Sequence, residues 1–130
     1  MKIISFVIPV YQEKDNLVLM YEALQNMMKG QSDQYDWDVI FVNDGSPDGS
    51  GEILEQLSQK EARCRVIELS RNFGKEIALS AGVDYAKGDA VIFLDADLQH
   101  PPDRIPDMLR CWEDGYEVVE MVRTYTEGEP

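Results

Sequence analysis

The chain alternates short apolar runs with segments of helical periodicity, and that alternation narrows the fold before any motif is read. The apolar runs are Ile3–Val10, Val39–Val42, Arg65–Leu69, Ala90–Leu94 and Tyr116–Val122. Most are rich in Val, Ile and Phe, as strands buried on both faces require. Between the first two, Leu17, Met20, Leu24 and Met27 recur at helical spacing within Asn16–Lys29, and Gly30 supplies a stop. Ile53, Leu54 and Leu57 mark a second helix. Ile77, Ala78, Ala81 and Tyr85 mark a third, ended by Gly88. Ile105, Met108, Leu109 and Trp112 mark a fourth, opened by Asp103 and closed by Gly115. Pro106 falls in the first turn of that helix, where a missing N–H costs little. This order predicts a three-layer α/β fold, a mostly parallel, doubly wound sheet with right-handed crossovers. No repeat, low-complexity tract or linker interrupts it, so residues 1–130 read as a single domain. A length of 130 residues suits one domain or part of a larger one.

Charge limits the partners. The formal net charge of -13 gives nothing with which to neutralise a nucleic-acid backbone or to dock on an anionic membrane. An anionic substrate needs local help from a metal, helix N-termini or a few placed Lys and Arg. Hydrophobic content of 44% with 28% charged residues is that of a globular domain. Cys64 and Cys111 are far apart with no CxxC spacing, which favours free thiols in a reducing compartment over a disulfide or zinc site. The N-terminal apolar run has no small-residue cleavage site after it. Pro9 and the charged stretch that follows fit a buried strand better than a signal peptide. No apolar run approaches membrane-spanning length.

In doubly wound sheets the ligand sits outside the carboxyl ends of the strands, where strand order reverses. The residues after each strand are therefore the informative ones. Strand one ends in Pro9-Val10-Tyr11-Gln12-Glu13 and strand two in Asn43-Asp44-Gly45-Ser46. Strand three ends in Ser70-Arg71-Asn72-Phe73-Gly74-Lys75 and strand four in Asp95-Ala96-Asp97-Leu98-Gln99-His100. Each has a plain reading. Asp44-Gly45 is a strong turn signal by itself. Glu13 alone fits a solvated loop, Arg71 and Lys75 fit solvated or acid-paired cations, and a lone His100 before two prolines needs no special role. Asp95-x-Asp97 is harder to dismiss. Two carboxylates two residues apart leaving a buried strand point the same way where pleating persists. Like charges that close repel unless a cation lies between them. Gln99 repeats the spacing with a neutral oxygen. Hard oxygen ligands of this kind suit Mg²⁺ or Mn²⁺, bound with substrate phosphate oxygens. Such a metal bridges an acidic site to an anionic diphosphate.

Taken together, PVYQEKDN, VNDGSPDGS, LSRNFGKE and DADLQHPP, with VVEMVRTYTEGEP near the end, resemble family 2 glycosyltransferases of GT-A fold, the nucleotide-diphospho-sugar transferase type. The nearest likeness is to the polyprenyl-phosphate branch, with its dolichol-phosphate mannose synthases and bactoprenol glucosyltransferases. The likeness runs from about Ile3 to Gly128. It implies that Pro9, Tyr11 and Glu13 line the base and ribose pocket and that Asp44 contacts the nucleoside, with Ser46 nearby. It implies that Arg71, Asn72 and Lys75 form the loop beside the nucleotide. Asp95, Asp97 and Gln99 would hold the metal, with Ala96 packing near the ribose. Arg123, placed by the resemblance alone, would sit near the diphosphate.

The implied reaction moves a sugar, with inversion, from a nucleotide-sugar donor to a polyprenyl phosphate. The metal and Arg123 would stabilise charge on the departing diphosphate. A phosphate monoester acceptor is already largely ionised and needs little general base, so the absence of a triad fits. A saccharide hydroxyl is the alternative acceptor and would need a base. RNFGKE and MVRTYTEGE tip the donor toward UDP-glucose or a related sugar. The chain stops at Pro130 within a family motif. The expectation is a donor-binding N-terminal part that transfers poorly by itself, from a parent at the cytoplasmic face of a membrane that it contacts through parts outside this chain. Three rival readings compete: an aspartyl-phosphate phosphatase, a Rossmann dinucleotide domain and a non-catalytic nucleotide-binding module. The first places its DxD after an early strand and follows it with Thr or Val. The second needs a Gly-rich first turn, which is lacking here. The third would fit degenerate motifs, and these look intact.

Overall fold

The computed structural model describes residues 2–95, 105–113 and 119–120. In chain order the elements are β1 (Lys2–Val10), α1 (Leu17–Lys29), β2 (Tyr35–Asn43), α2 (Ser50–Lys60), β3 (Cys64–Glu68), α3 (Lys75–Tyr85), β4 (Ala90–Phe93), α4 (Ile105–Glu113) and β5 (Val119–Glu120). The strands form one sheet in the order β3-β2-β1-β4-β5, and every pairing among the described residues is parallel. The expected doubly wound α/β architecture is therefore what forms.

Alternation along the strands divides the core between two faces. Ile4, Phe6, Ile8 and Val10 of β1 join Trp37, Val39 and Phe41 of β2 on one face. They meet Leu17, Met20, Tyr21, Leu24 and Met28 of α1, and Leu54 and Leu57 of α2. Burying each such aliphatic or aromatic side chain stabilises the fold by about 1.5–3 kcal/mol. Ile105 and Leu109 of α4 belong to the same cluster. On the other face Val7, Ile40, Val42 and Ala78 make a thinner layer under α3. Here Gly82 matters, because a Cβ on it would lie 2.3 Å from Cγ1 of Val7. The missing side chain lets the α3 backbone rest directly on β1.

The differences from the sequence reading have local causes. β2 begins at Tyr35, four residues earlier than the apolar run, because Tyr35 and Trp37 are buried and pair with β1 from Lys2 onward. β3 is shifted back by one residue, from Arg65–Leu69 to Cys64–Glu68, in register with Val39–Asn43. α3 ends at Tyr85, before Gly88. Gly88 instead packs against Ser5, whose Oγ accepts its N–H at 3.0 Å. Ile77 and Tyr85 mark the helix but do not enter the core; they are 51% and 59% exposed. β5 lies within the expected Tyr116–Val122 run, and the other residues of that run, like Asp103 and Gly115, lie outside the described residues.

Candidate active site

Strand order reverses around β1. The chain steps outward from β1 to β2 to β3, then returns to place β4 on the other side of β1. The seam between β1 and β4 is thus the switch point. Its ladder runs from Ile4↔Ala90 to Val7↔Phe93 and ends with the Leu94 N–H donating to the Val7 carbonyl at 3.1 Å. The next rung would need an N–H from residue 9, and Pro9 has none. The β1–β4 ladder therefore stops at the carboxyl ends of the two strands, with Asp95 just past the last rung.

The loops after β1, β2 and β3 are laced to one another. The Asp44 N–H donates to the Val10 carbonyl at 2.8 Å, tying the end of β2 to the end of β1. The Asp44 carboxylate is 3% exposed and turns to the β3–α3 loop. Oδ1 accepts the Phe73 N–H at 2.8 Å, and Oδ2 accepts the Gly74 N–H at 3.0 Å and the Asn72 amide at 3.2 Å. Gly45 adopts φ +71°, and a Cβ there would lie 2.4 Å from the Arg71 carbonyl carbon. Glycine is required twice over, by conformation and by close approach. Ser46 completes the β1–β2 join: its Oγ accepts the Gln12 N–H at 3.0 Å, and its own N–H donates to Asn43 Oδ1 at 3.2 Å. Gln12 takes a positive φ of 57° at this join.

Around this scaffold stand the remaining expected residues. Tyr11 is 44% exposed, Pro9 is half-buried, and the Glu13 carboxylate accepts the Asn16 amide at 2.9 Å. The Arg71 guanidinium lies 4.4 Å from the Phe73 ring centre, a cation–π contact that keeps both side chains at the loop surface. Lys75, the first residue of α3, reaches across to Asp95, with Nζ 2.8 Å from Oδ1. The cation expected near the anionic substrate is therefore already set against the first carboxylate of the DxD pair. Ala96, Asp97, Gln99, His100 and Arg123 lie outside the described residues. Among the described residues no three His, Cys, Asp or Glu side chains converge on a metal position.

Sequence reasoning missed Asn43 and Asp48. Buried Asn43 donates from Nδ2 to Glu68 Oε1 at 2.9 Å and so couples β2 to β3. Its only signal is a polar residue ending an apolar strand. Asp48 accepts the Ser50 N–H at 3.1 Å and the Lys14 N–H at 3.4 Å, satisfying the first N–H of α2 from the residue before its Gly49 N-cap and holding the β1–α1 loop. Burial works against its ionised form. Hydrogen bonds from the Ser50 hydroxyl, the Ser50 N–H and the Lys14 N–H outweigh that and hold the carboxyl below its ordinary value of 3.8. An Asp two residues before the first helical position was a readable signal that a side chain meets the helix start.

The sequence matches the family described as Glycosyl transferase family 2 over residues 5–130. The chain belongs to glycosyltransferase family 2. It is similar to the uncharacterized glycosyltransferase YkcC of Bacillus subtilis, 46% identical over 96% of this chain and 38% of that protein. It is also similar to an undecaprenyl-phosphate 4-deoxy-4-formamido-L-arabinose transferase of Pseudomonas savastanoi, 41% identical over 95% of this chain and 36% of that protein. The family 2 chain thus spans less than two-fifths of the length of these relatives. Among solved structures it superposes on the Pyrobaculum calidifontis mannosyltransferase PcManGT, determined with GDP-Man and Mn²⁺. The TM-score is 0.63 at 20% identity, covering 72% of this chain and 27% of that one. That likeness, with the parallel sheet and its switch point, identifies the GT-A fold.

Proposed function

We propose that this chain is the N-terminal, nucleotide-sugar-binding part of an inverting glycosyltransferase that moves a sugar from a UDP-sugar to a polyprenyl phosphate. The observation that carries the reading is Asp95, poised past the last rung of the β1–β4 seam and met there by Lys75. Pro9, Tyr11 and Glu13 form one wall of the base and ribose pocket, and Asp44 and Ser46 stand at its nucleoside end. Arg71, Asn72 and Lys75 border the diphosphate. Family membership supports the transfer of a sugar. The undecaprenyl-phosphate relative supports a polyprenyl-phosphate acceptor, whose own charge makes a strong general base unnecessary.

Asp95, part-buried past the last rung and paired with Lys75, is a hard oxygen donor of the kind that binds Mg²⁺ or Mn²⁺. Asp97 and Gln99, two and four residues on, would complete the protein's share of the ligands. A metal there would neutralise charge gathering on the departing diphosphate. Arg123 would add a second positive charge at the same place. No described helix is long and apolar enough to cross a membrane. The reading places the protein at the cytoplasmic face of a membrane, held there by parts outside this chain.

Calorimetric titration with UDP and with GDP, both in Mn²⁺, tests the donor assignment. Saturable binding with UDP tighter than GDP is expected. Absence of binding to either nucleotide would refute a nucleotide-sugar site.

A further inference from the structure

We propose that Asp44 is a positioning residue, a latch that fixes the 71–74 loop and thereby sets Lys75 against Asp95. The proposal rests on the donor-site reading and gives one of its residues a different task from direct contact with the nucleoside. Three observations carry it. The Asp44 carboxylate is 3% exposed, and both its oxygens take donors from one loop: the N–H groups of Phe73 and Gly74 and the side chain of Asn72. Its N–H is tied to Val10, so the latch is anchored on the central strand and does not move with the loop it holds. The residue after Gly74 is Lys75, whose ammonium lies 2.8 Å from Asp95.

The physical sense is that Gly74 is the hinge of this loop. It sits at φ 104° and ψ 157°, a conformation open to glycine and closed to most residues, with nothing near the place a Cβ would take. Its carbonyl accepts the Ala78 N–H at 3.1 Å, but it has no side chain to fix the peptide before it. Charge-assisted hydrogen bonds to its N–H and to the N–H before it fix that peptide instead. The first turn of α3 then starts in a fixed place, and Lys75 reaches Asp95 from it. Removing the carboxylate releases the Phe73 and Gly74 N–H groups, while the Asn72 amide keeps the Asp44 carbonyl at 3.3 Å, and it leaves the sheet closed, because the β1–β2 ladder from Lys2↔Tyr35 to Val10↔Asn43 does not involve the Asp44 side chain.

Residue-resolved amide exchange on the nucleotide-free protein reads the latch directly. In Asp44→Ala the amides of Phe73 and Gly74 should exchange about tenfold faster or more, the loss expected for a hydrogen bond to a charged acceptor. The amides of β1 and β2 should keep their rates. Asp44→Asn, which retains one acceptor oxygen, should fall between and serves if the Ala variant does not fold. Unchanged protection at Phe73 and Gly74 would overturn the proposal in favour of a direct nucleoside contact. The same holds for a uniform loss across β1 and β2, which would make Asp44 merely structural. A second readout tests the coupling to Lys75. Asp44→Ala and Lys75→Met should weaken UDP binding in Mn²⁺, and the double variant should be no worse than the weaker single variant. A double loss equal to the product of the two would mean that the residues act separately and would overturn the link. Exchange is measured without nucleotide, so failure of the latch and failure of the donor-site reading are distinguishable.

Discussion

Acidic side chains serve opposite purposes at the two ends of the sheet. Near the amino ends of β2 and β3 they are matched with arginines. Asp36 pairs with Arg63, and Asp38 pairs with Arg65 at 2.8 Å. Arg63 also stacks on Trp37 at 5.2 Å from the ring centre. The Arg63 hydrogen bond, helped by the Trp37 N–H, holds the Asp36 carboxyl below its ordinary value. Asp89 is the exception, accepting the Ile3 N–H at 2.8 Å. At the carboxyl ends the acids hold backbone and amide donors instead. Asp44 and Asp48 each gather N–H groups from more than one residue, and Glu13 and Glu68 take the amides of Asn16 and Asn43. The one ion pair between the described residues there is Lys75 with Asp95. Charge is cancelled at one end and used to shape loops at the other. A chain with a net charge of -13 thereby turns its carboxyl-end acids onto its own N–H groups. The acids nearest the loops point inward at N–H groups.

The comparison can be broken from either end. The largest effect is expected at Gly45. Gly45→Val adds positive-φ strain of about 1–3 kcal/mol and drives a Cβ into the backbone of Arg71 and Asn72. Denaturant unfolding should show a loss of about 3 kcal/mol or more, with nucleotide binding abolished. At the other end, alkali should act through Cys64 and Tyr21. Burial, with the Glu61 charge, pushes the Cys64 thiol from 9.0 to about 12. Burial and Glu61 push Tyr21 from 10.0 to about 12. The unfolded chain releases these protons first, so stability is full below pH 9 and falls as pH rises toward 12. A fall of about 2 kcal/mol is expected after allowance for solvent screening. Cys64→Ala should start lower and fall less, as read by urea midpoints across that range.

Smaller effects sharpen the contrast. Asp48→Ala removes the acceptor of the first α2 N–H and should cost about 1 kcal/mol in thermal or urea unfolding. It should also loosen the β1–α1 loop, which would appear as faster exchange of the Lys14 amide. The sign for pH follows from the depressed carboxyl. The Asp48 contribution is present above 3.8 and is lost as pH falls through its lower folded value. Arg63→Ala should cost the least, under about 1 kcal/mol, because both partners of that pair are near half exposed, 44% and 51%. It should leave UDP affinity unchanged. A drop in UDP affinity from Arg63→Ala would show that the two ends are not independent.

Much of this was legible in the sequence because it rests on periodicity and chain order. Buried parallel strands announce themselves as apolar runs, and strand ends could be read for chemistry before any coordinates. Tyr35 and Trp37 were missed as strand residues because Asp36 and Asp38, which alternate with them, break the apolar run; in the fold those two acids are paired on the opposite face. Ile77 and Tyr85 announce a helix but not its buried side, since α3 rests on the sheet through Ala78 and Gly82. The Asp44 latch was not legible. Asp-Gly reads as a turn, and nothing in its spacing points to loop amides some 30 residues on. The likeness to family 2 names positions at these strand ends, but such a likeness identifies positions and not which atoms of the protein already occupy them.

The most direct test of a metal-assisted nucleotide site at the β1–β4 seam is UDP titration by calorimetry, with and without Mn²⁺, on the wild-type protein and on Asp97→Ala. Metal-dependent binding in the wild type, abolished by the substitution, is the predicted result. Equal UDP affinity with and without Mn²⁺ would contradict the role given to Asp95 and Asp97.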